Sequence, residues 1–216
     1  MRKTSITLTL SLALLMLSTS GFGQNRVLLN AEKQAIVSAK LNALTQNINS
    51  VTSSFVQEKV FSFLEDKLLA QGKFWFVAPD KIRWEYEKPY PYVIIMSEGK
   101  MYINDNGESY SMDMRSNQLF QQMNALITKS IQGKLLSEEV DYLQQFFEDK
   151  QHYIVSFTPK NPQLKEYLAS IEIYFSKENA QVEALKMIEN AGDYTFIKFS
   201  NRVENSNLNP NLFKFQ

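Results

Sequence analysis

The chain of 216 residues contains no cysteine and a single histidine, His152. Without cysteine there can be no disulfide, thiolate metal site or cysteine nucleophile. His152 has no second imidazole with which to share a metal ion, and it begins a strand pattern, so we interpret it as structural. The sequence also contains no phosphate-binding glycine loop, dinucleotide-binding fingerprint or serine nucleophile elbow. We therefore expect a protein that is not an enzyme, with no catalytic residue, metal ligand or cofactor.

Long hydrophobic runs are absent as well. The longest uncharged apolar run, residues 6–17, is shorter than the roughly 20 residues needed to cross a membrane. Because Arg2 and Lys3 precede it and small residues follow it, residues 1–23 are predicted to be a cleaved secretory signal peptide. A retained membrane anchor is the alternative, but no cysteine follows that could be acylated. We find no repeat or linker in residues 24–216 and expect one exported domain there.

The charge balance argues against two classes of partner. The chain holds 23 basic and 23 acidic residues, and loss of the signal peptide removes two basic and no acidic ones, which leaves about −2. Nucleic acids and anionic membranes attract strongly basic surfaces. We therefore expect no nucleic-acid partner and no strong electrostatic docking to an anionic membrane.

An amphipathic helix is predicted near the start of the mature chain. Residues 31–48 carry apolar side chains at helical spacing, and Asn30 can cap the first turn. The apolar stripe consists of Ile36, Val37, Leu41, Leu44 and Ile48. The apolar period then changes to two, which predicts strands in residues 50–63, 68–78, 81–87, 92–97, 100–104 and 109–114.

Two helices are predicted in the middle of the chain, followed by more strands. The first ends near Gly133 and has an apolar stripe formed by Leu119, Phe120, Met123, Leu126, Ile127 and Ile131. The second begins at a Ser137 cap and carries Val140, Leu143, Phe146 and Phe147. Strand patterns return in residues 152–160, 168–176, 182–190, 193–205 and 212–215.

This order of elements predicts a mainly β fold with helices. Short turns join nearly all the strands, which favours one antiparallel sheet of about eleven strands. A sheet of this width twists and curls into a barrel or a half-barrel. The N-terminal helix and the short middle helices must bury their apolar stripes, and the concave face of the sheet is the only large apolar surface available to them.

Aromatic and methionine side chains concentrate on one face of the predicted strands. In the segment GKFWFVAPDKIRWEYEKPYPY, residues 72–92, Trp84 alternates with charged residues and is predicted to face a cavity, whereas Trp75 faces the opposite side. The candidate cavity residues are Phe74, Phe76, Ile82, Trp84, Tyr86, Met96, Met112 and Met114. They could simply fill a core, but so wide a sheet encloses more volume than the helices easily fill. Because methionine adapts to changing contacts, we expect a lipid-binding cavity under removable helices.

Several short motifs resemble the LolA family of periplasmic lipoprotein carriers. In the first half of the chain they are SSFVQ at residues 53–57, GKFWF at 72–76, Pro79, IRW at 82–84, Pro89 and SEGK at 97–100. YIVSFTPK, LASIEIYFS and the final LFKF resemble the C-terminal strands of that family. The order and spacing of these motifs carry the resemblance, which covers essentially the whole mature chain.

The resemblance implies an open antiparallel half-barrel whose concave face is covered by helices, and a carrier that catalyses no reaction. Such a carrier accepts acylated lipoproteins from an inner-membrane ABC transporter complex, crosses the periplasm and delivers them to an outer-membrane acceptor. By the same resemblance we expect a soluble periplasmic monomer that binds the lipid moiety of its cargo. Ile82 and Trp84 match positions at which the family places apolar residues on the concave face.

The resemblance also assigns a lid to the first middle helix. The lid residues would be Leu119, Phe120, Met123, Leu126 and Ile127. Members of the family carry an arginine just before the proline that matches Pro79, and it hydrogen-bonds the lid shut. Here that position is Ala78. Either apolar contact alone holds the lid or another residue replaces the arginine; Arg83 is nearby, but its alternation points it to the outer face.

Two other functions use the same scaffold and remain open. A lipid-sensing, envelope-stress regulatory protein usually adds a second domain that binds a membrane partner, and this sequence ends after its last strand pattern. A carrier of another lipid or glycolipid would need the same cavity, so the sequence does not distinguish it from a lipoprotein carrier.

Overall fold

The computed structural model describes residues 25–116, 118–132, 134–137 and 141–215. The predicted signal peptide at residues 1–23 lies outside this part of the chain, and so do Gly133 and Val140. Six side chains within the helical segments also lie outside it: Gln118, Leu119, Phe120, Met123, Leu135 and Ser137. In the described ranges, no helix has the length and apolar character needed to cross a membrane.

Twelve strands and three α-helices form the described part of the fold. The strands are β1 (Val27–Leu28), β2 (Ser50–Val60), β3 (Lys67–Val77), β4 (Lys81–Lys88), β5 (Tyr92–Ser97), β6 (Lys100–Asp105), β7 (Glu108–Asp113), β8 (Tyr142–Glu148), β9 (His152–Pro159), β10 (Ser170–Ser176), β11 (Val182–Ile188) and β12 (Tyr194–Glu204). The helices are α1 (Ala31–Thr45), α2 (Gln118–Ile131) and α3 (Pro162–Tyr167). Short 3₁₀ turns occupy Met114–Ser116, Lys134–Ser137 and Pro210–Phe213.

The twelve strands form one antiparallel sheet in the order β1-β8-β9-β10-β11-β12-β2-β3-β4-β5-β6-β7. Strands β1 and β7 are the two edges, so the sheet stays open. The predicted open antiparallel half-barrel is confirmed, with twelve strands instead of about eleven. Two of these strands, β1 and β8, were not predicted as strands. Strand β1 pairs with β8 at two positions only and is too short to produce an alternating pattern.

Helix α1 covers the concave face of the C-terminal strands. Asn30 caps it as predicted, since its Oδ1 accepts a hydrogen bond from the backbone N–H three residues later at 2.9 Å. Val37 and Leu41 are buried in a cluster with side chains from β8, β9 and β10. The predicted stripe is wrong at Ile36 and Leu44, which are 63% and 53% exposed, because α1 buries only a narrow strip.

Helix α1 also ends earlier than predicted, at Thr45. The Thr45 hydroxyl donates a hydrogen bond to the carbonyl oxygen of Leu41 at 2.7 Å, which satisfies the buried hydroxyl in the last turn. Ile48 is buried, as its hydrophobicity suggested, but it lies in the connection to β2 rather than in the helix.

The second predicted middle helix is wrong, because residues 142–148 form strand β8. Phe146 packs into the cluster on the concave face, while the adjacent Phe147 packs against a smaller cluster on the convex face. Burial on both faces of a strand places apolar residues next to each other, and this spacing imitates a helical stripe. Leu143, the second residue of that stripe, is exposed.

Two further differences lie in the C-terminal half. Helix α3 was not predicted, although Asn161 caps it and Pro162 occupies its first turn, a combination that favours a helix start. Residues 212–215, predicted as a strand, instead begin in a 3₁₀ turn. This segment covers the convex face: Phe213 is buried there, and the ring of Phe215 stacks on Tyr102 with centroids 5.1 Å apart.

The backbone of β3 approaches that of β4 very closely at Gly72, the first residue of the GKFWF motif. The ladder between these strands shifts register between Gln71 and Gly72. A Cβ atom at Gly72 would lie 1.9 Å from the carbonyl oxygen of Glu85. Since the obstacle is backbone, no side-chain movement can relieve it, and the position requires glycine.

We predict that Gly72→Ala lowers the free energy of unfolding by about 1–3 kcal/mol, the usual cost of overpacking a tight contact. Urea denaturation followed by circular dichroism measures this change. Gly107→Asn is the matched control, because nothing lies within 4 Å of its virtual Cβ and asparagine tolerates a positive φ. Equal stability of Gly72→Ala and the parent would contradict the assigned contact.

Candidate binding cavity

An apolar cavity of about 190 Å³ lies between helix α2 and the concave face of the sheet. Its walls come from β2, β3, β4, β5, β10, β11 and β12, and α2 forms its roof. Nearly all the lining side chains are apolar or aromatic; the polar ones are Gln57, Ser130 and Arg202. The cavity lies beside the second core cluster, which gathers side chains from β2 to β5.

Half of the predicted cavity residues line this space, together with two of the predicted lid residues. The predicted residues that line it are Phe74, Trp84, Tyr86, Met96, Leu126 and Ile127. Phe76 and Ile82 share the concave face but are completely buried in the adjoining cluster, so they support the wall without lining it. Met114 is likewise buried in that cluster, from the 3₁₀ turn after β7.

The pairing of strands explains the position of Met112. Directly opposed residues in an antiparallel sheet project from the same face. One row across the concave face consists of Val51, Phe76, Ile82, Met96, Met101 and Met112. Met112 ends this row on the edge strand and is 41% exposed, so it lies on the predicted face but outside the cavity.

The C-terminal strands contribute a second wall that the sequence analysis did not assign. These lining residues are Ile171, Val182, Leu185, Met187, Ile197 and Phe199. Leu185 and Met187 are two positions apart on β11, and so are Ile197 and Phe199 on β12. The sequence therefore shows that the members of each pair share one face of their strand. Assigning that face to the cavity requires the pairing of β12 with β2, which connects segments far apart in sequence.

Trp84 stands at the centre of an aromatic cluster in the cavity wall. Its ring centroid lies 5.2 Å from that of Phe55, 4.7 Å from Phe74 and 6.3 Å from Phe199, all with tilted or edge-to-face geometry. Trp75 has the opposite orientation, as predicted, since it pairs with Arg83 on the convex face and its ring lies 5.8 Å from that guanidinium. The two tryptophans therefore serve different faces of one hairpin.

Tyr86 and Gln57 form a small polar contact at one end of the cavity. The Tyr86 hydroxyl donates to Gln57 Oε1 at 2.9 Å, and its ring stacks on Tyr92 with centroids 4.1 Å apart. Burial, followed by the proximity of Tyr92, raises the pKa of Tyr86 far above the usual tyrosine range. Tyr86 therefore stays neutral, and it adds no charge to the cavity.

Helix α2 covers the cavity mainly through apolar side chains. Leu126 belongs to the first core cluster, and Ile127 and Ile131 pack against the second, so the helix bridges the two. Ser130 is buried, but its hydroxyl donates to the Leu126 carbonyl of its own helix at 2.6 Å. The remaining predicted lid residues, Leu119, Phe120 and Met123, have side chains outside the described part of the chain.

The position that lacks the family's latch arginine is occupied by a short apolar side chain. Ala78 packs against the second cluster, and its backbone N–H donates to the Asn49 carbonyl at 2.8 Å. Arg83 points away from the cavity, as its alternation predicted. Its guanidinium pairs with Glu85 at 2.7 Å and donates to the Leu212 carbonyl at 3.2 Å, which fastens the C-terminal segment.

One charged residue does line the cavity: Arg202 on β12. Its side chain is 7% exposed, and Nε donates to Glu204 Oε1 at 2.8 Å. Burial lowers the pKa of the Arg202 guanidinium, and the bond to Glu204 opposes that shift. Guanidinium groups keep their proton in proteins, so Arg202 remains a cation within an apolar wall.

His152 lies outside the cavity, at the start of β9, as its strand pattern predicted. Its Nδ1 is 3.0 Å from Asp149 Oδ2, and its Nε2 is 2.9 Å from Glu183 Oε2. Burial opposes ionisation of Asp149, but hydrogen bonds from His152 and from backbone N–H groups hold its pKa below the usual value. In the part of the chain that the structure covers, no group of three or more histidine, aspartate or glutamate side chains could hold a metal ion.

An open antiparallel half-barrel with an apolar cavity beneath a helix defines a class of binding protein built around a sheltered concave face. The family model described as outer membrane lipoprotein carrier protein LolA matches residues 46–216. The chain therefore belongs to the LolA family.

Two curated relatives agree with this family at low identity. An outer-membrane lipoprotein carrier protein of Chromohalobacter salexigens is 25% identical over 189 residues, which cover 87% of this chain and 86% of that protein. Another, of Methylococcus capsulatus, is 23% identical over 177 residues and covers 82% of each. The crystal structure of Mycobacterium tuberculosis lipoprotein LppX matches with a TM-score of 0.49 and 10% identity, over 83% of this chain and 99% of that one.

We predict that the stability of the fold depends on the packing of the buried side of α2 against the sheet. Leu126 is almost fully buried, so Leu126→Ala should lower the free energy of unfolding by about 2–5 kcal/mol, the usual cost of a cavity in a core. Ile36→Ala on the exposed side of α1 is the control and should change it by less than about 0.5 kcal/mol. Both are measured by urea denaturation. Equal, small effects would mean that α2 is not packed on the sheet as described.

Proposed function

We propose that this protein carries lipoproteins through the periplasm, with their acyl chains in the cavity beneath α2. The observation that carries the proposal is the apolar cavity itself, lined from both halves of the sheet, in a chain that belongs to the LolA family. The cargo would come from an inner-membrane ABC transporter complex and go to an outer-membrane acceptor. The curated relatives are named as outer-membrane lipoprotein carriers, which supports this direction of transport.

The physical need for such a carrier follows from the cost of exposing hydrocarbon. Each CH₂ group kept from water is worth about 0.8 kcal/mol, so an acylated protein does not cross an aqueous compartment unaided. The described cavity measures about 190 Å³, below the roughly 300–1,000 Å³ of pockets that enclose a small-molecule ligand. Two acyl chains therefore require the roof to move, and α2 is the element that would be displaced.

The contacts of α2 are consistent with a roof that opens at moderate cost. Gln122 Oε1 and Asn124 Oδ1 are buried without a hydrogen-bond partner in the described residues. Each such atom costs about 1–3 kcal/mol, which weakens the closed position. The hydroxyls of Thr128 and Ser130 bond to carbonyls of α2 itself and so do not fasten it to the sheet. Because the closed position of α2 competes with cargo for the cavity, it lowers the apparent affinity of the protein for its cargo and favours later release of that cargo.

The exported location belongs to the same proposal. Residues 1–23 have the pattern of a secretory signal, and the remaining chain carries about −2 net charge. We infer that residues 24–216 act as one soluble periplasmic domain and as a monomer. The protein would perform no catalysis, since carriers of this family act by binding and transfer.

The test introduces a charge into the cavity. Ile127→Glu places a carboxylate at the roof, where burial against acyl chains is costly, and should weaken binding of a dipalmitoylated lipopeptide by at least about tenfold. Binding is followed by displacement of a fluorescent apolar dye. Ile36→Glu makes the same change on the exposed face of α1 and should bind like the parent.

Two results would contradict the proposal. The first is a parent protein that takes up no lipopeptide; the second is equal binding by Ile127→Glu and the parent, with both folded by circular dichroism. If mass spectrometry of the purified protein instead finds a glycolipid in place of lipoproteins, the cavity serves another lipid and the proposed cargo is wrong.

A further inference from the structure

A β-bulge in β12 turns Arg202 towards the cavity. Strand β12 pairs regularly with β2 up to the pair formed by Ser200 and Ser54, and pairing resumes at Val203 and Thr52. Two residues, 201 and 202, therefore face the single residue 53. Asn201 has a φ of 53° and is exposed, whereas the Arg202 side chain lines the cavity.

The guanidinium of Arg202 has hydrogen-bonding capacity that the protein leaves unused. Its Nε bonds to Glu204, but its Nη2 is buried and has no hydrogen-bond partner in the part of the chain that the structure describes. A buried donor without an acceptor costs free energy, and more so when it is charged. An incoming acceptor at this position would remove that cost.

A second unused donor lines the same cavity. Trp84 Nε1 is buried and has no partner in the described ranges, and the indole N–H can only donate. Strand pairing places Trp84 opposite Phe74, and Phe74 opposite Ser53, which itself faces the bulge. Ser53 Oγ is a third buried atom without a partner. Three unsatisfied polar atoms thus lie along one row of a largely apolar concave face.

The ligand chemistry that fits this row is a neutral acceptor. Glu204 already compensates the charge of Arg202, so a second full anion would meet a neutral pair rather than a free cation. Acyl chains offer hydrogen-bonding atoms only where a carbonyl joins them to the headgroup. Glu204 is 24% exposed, which places the Arg202 end of the row near solvent, where that junction would lie.

We propose that Arg202 and Trp84 donate hydrogen bonds to ester carbonyl oxygens of the cargo's acyl chains. The cavity then recognises acyl esters and not merely hydrocarbon. This inference rests on the proposed function, since it names the group that the carrier recognises on its lipid. The acyl ester could belong to a lipoprotein or to a membrane glycerolipid.

The experiment compares a lipopeptide bearing two palmitoyl esters with its analogue bearing two hexadecyl ethers. Dye displacement gives both affinities. We expect the parent to bind the ester about tenfold more tightly than the ether, the equivalent of one hydrogen bond to a charged group. Arg202→Met should remove this preference by weakening ester binding alone.

The chain supplies a matched control for Arg202→Met. Arg83 and Glu85 repeat the same Arg-x-Glu spacing on the convex face, so Arg83→Met removes a similar pair away from the cavity. It should keep the ester preference of the parent. The double variant Arg202→Met/Glu204→Gln removes both charges. It replaces Arg202→Met if that single variant melts at a lower temperature than the parent, and it should likewise bind ester and ether equally.

The outcomes separate this inference from the proposed function. A parent that binds ester and ether equally well, or a loss of both in Arg202→Met, overturns the carbonyl site while the carrier function stands. A parent that binds neither lipopeptide contradicts the proposed function itself. Dipalmitoyl phosphatidylethanolamine and its diether analogue identify the source of the acyl ester. If the parent prefers the ester of this pair too, the site recognises glycerolipids in general. If it prefers the ester only in the lipopeptide, the site recognises lipoproteins.

Discussion

The fold depends on covering the concave face of a sheet that does not close. Twelve antiparallel strands curl far enough to create one large apolar surface but leave β1 and β7 as free edges, so helices must remove that surface from water. Helix α1 does this completely over the C-terminal strands, where Phe157 and Phe175 are fully buried. Helix α2 covers the concave face only partly where the two halves of the sheet meet, and the space left between helix and sheet is the cavity.

This division gives the two helices different roles. The contacts of α1 belong to a continuous core, and its removal would expose that core. The described part of α2 contributes Leu126 to the same core, but its neighbours Ile127 and Ile131 border empty space. The proposed carrier function requires α2, which is anchored at one side and borders a cavity at the other, to move while the sheet stays folded.

The sequence predicted correctly those strands that have one face against the core and the other face towards solvent. Strand β4 alternates apolar and charged residues because one face meets the core and the other the convex surface, so Ile82 and Trp84 were assigned to the correct side. Strand β8 was mistaken for a helix because Phe146 is buried on the concave face and Phe147 is partly buried on the convex face, which removes the alternation. The wall formed by β11 and β12 was missed since its place depends on long-range pairing.

Arg202 illustrates a limit of reading faces from alternation. Ile197 and Phe199 face the cavity, so uninterrupted alternation would send residue 202 to the convex side, like Arg83 on β4. One additional residue in the bulge reverses this and places an arginine with its glutamate inside. The chain therefore has no arginine at Ala78 but has one elsewhere on the concave face, and its unused donor atom points to a role in holding cargo rather than in fastening the roof.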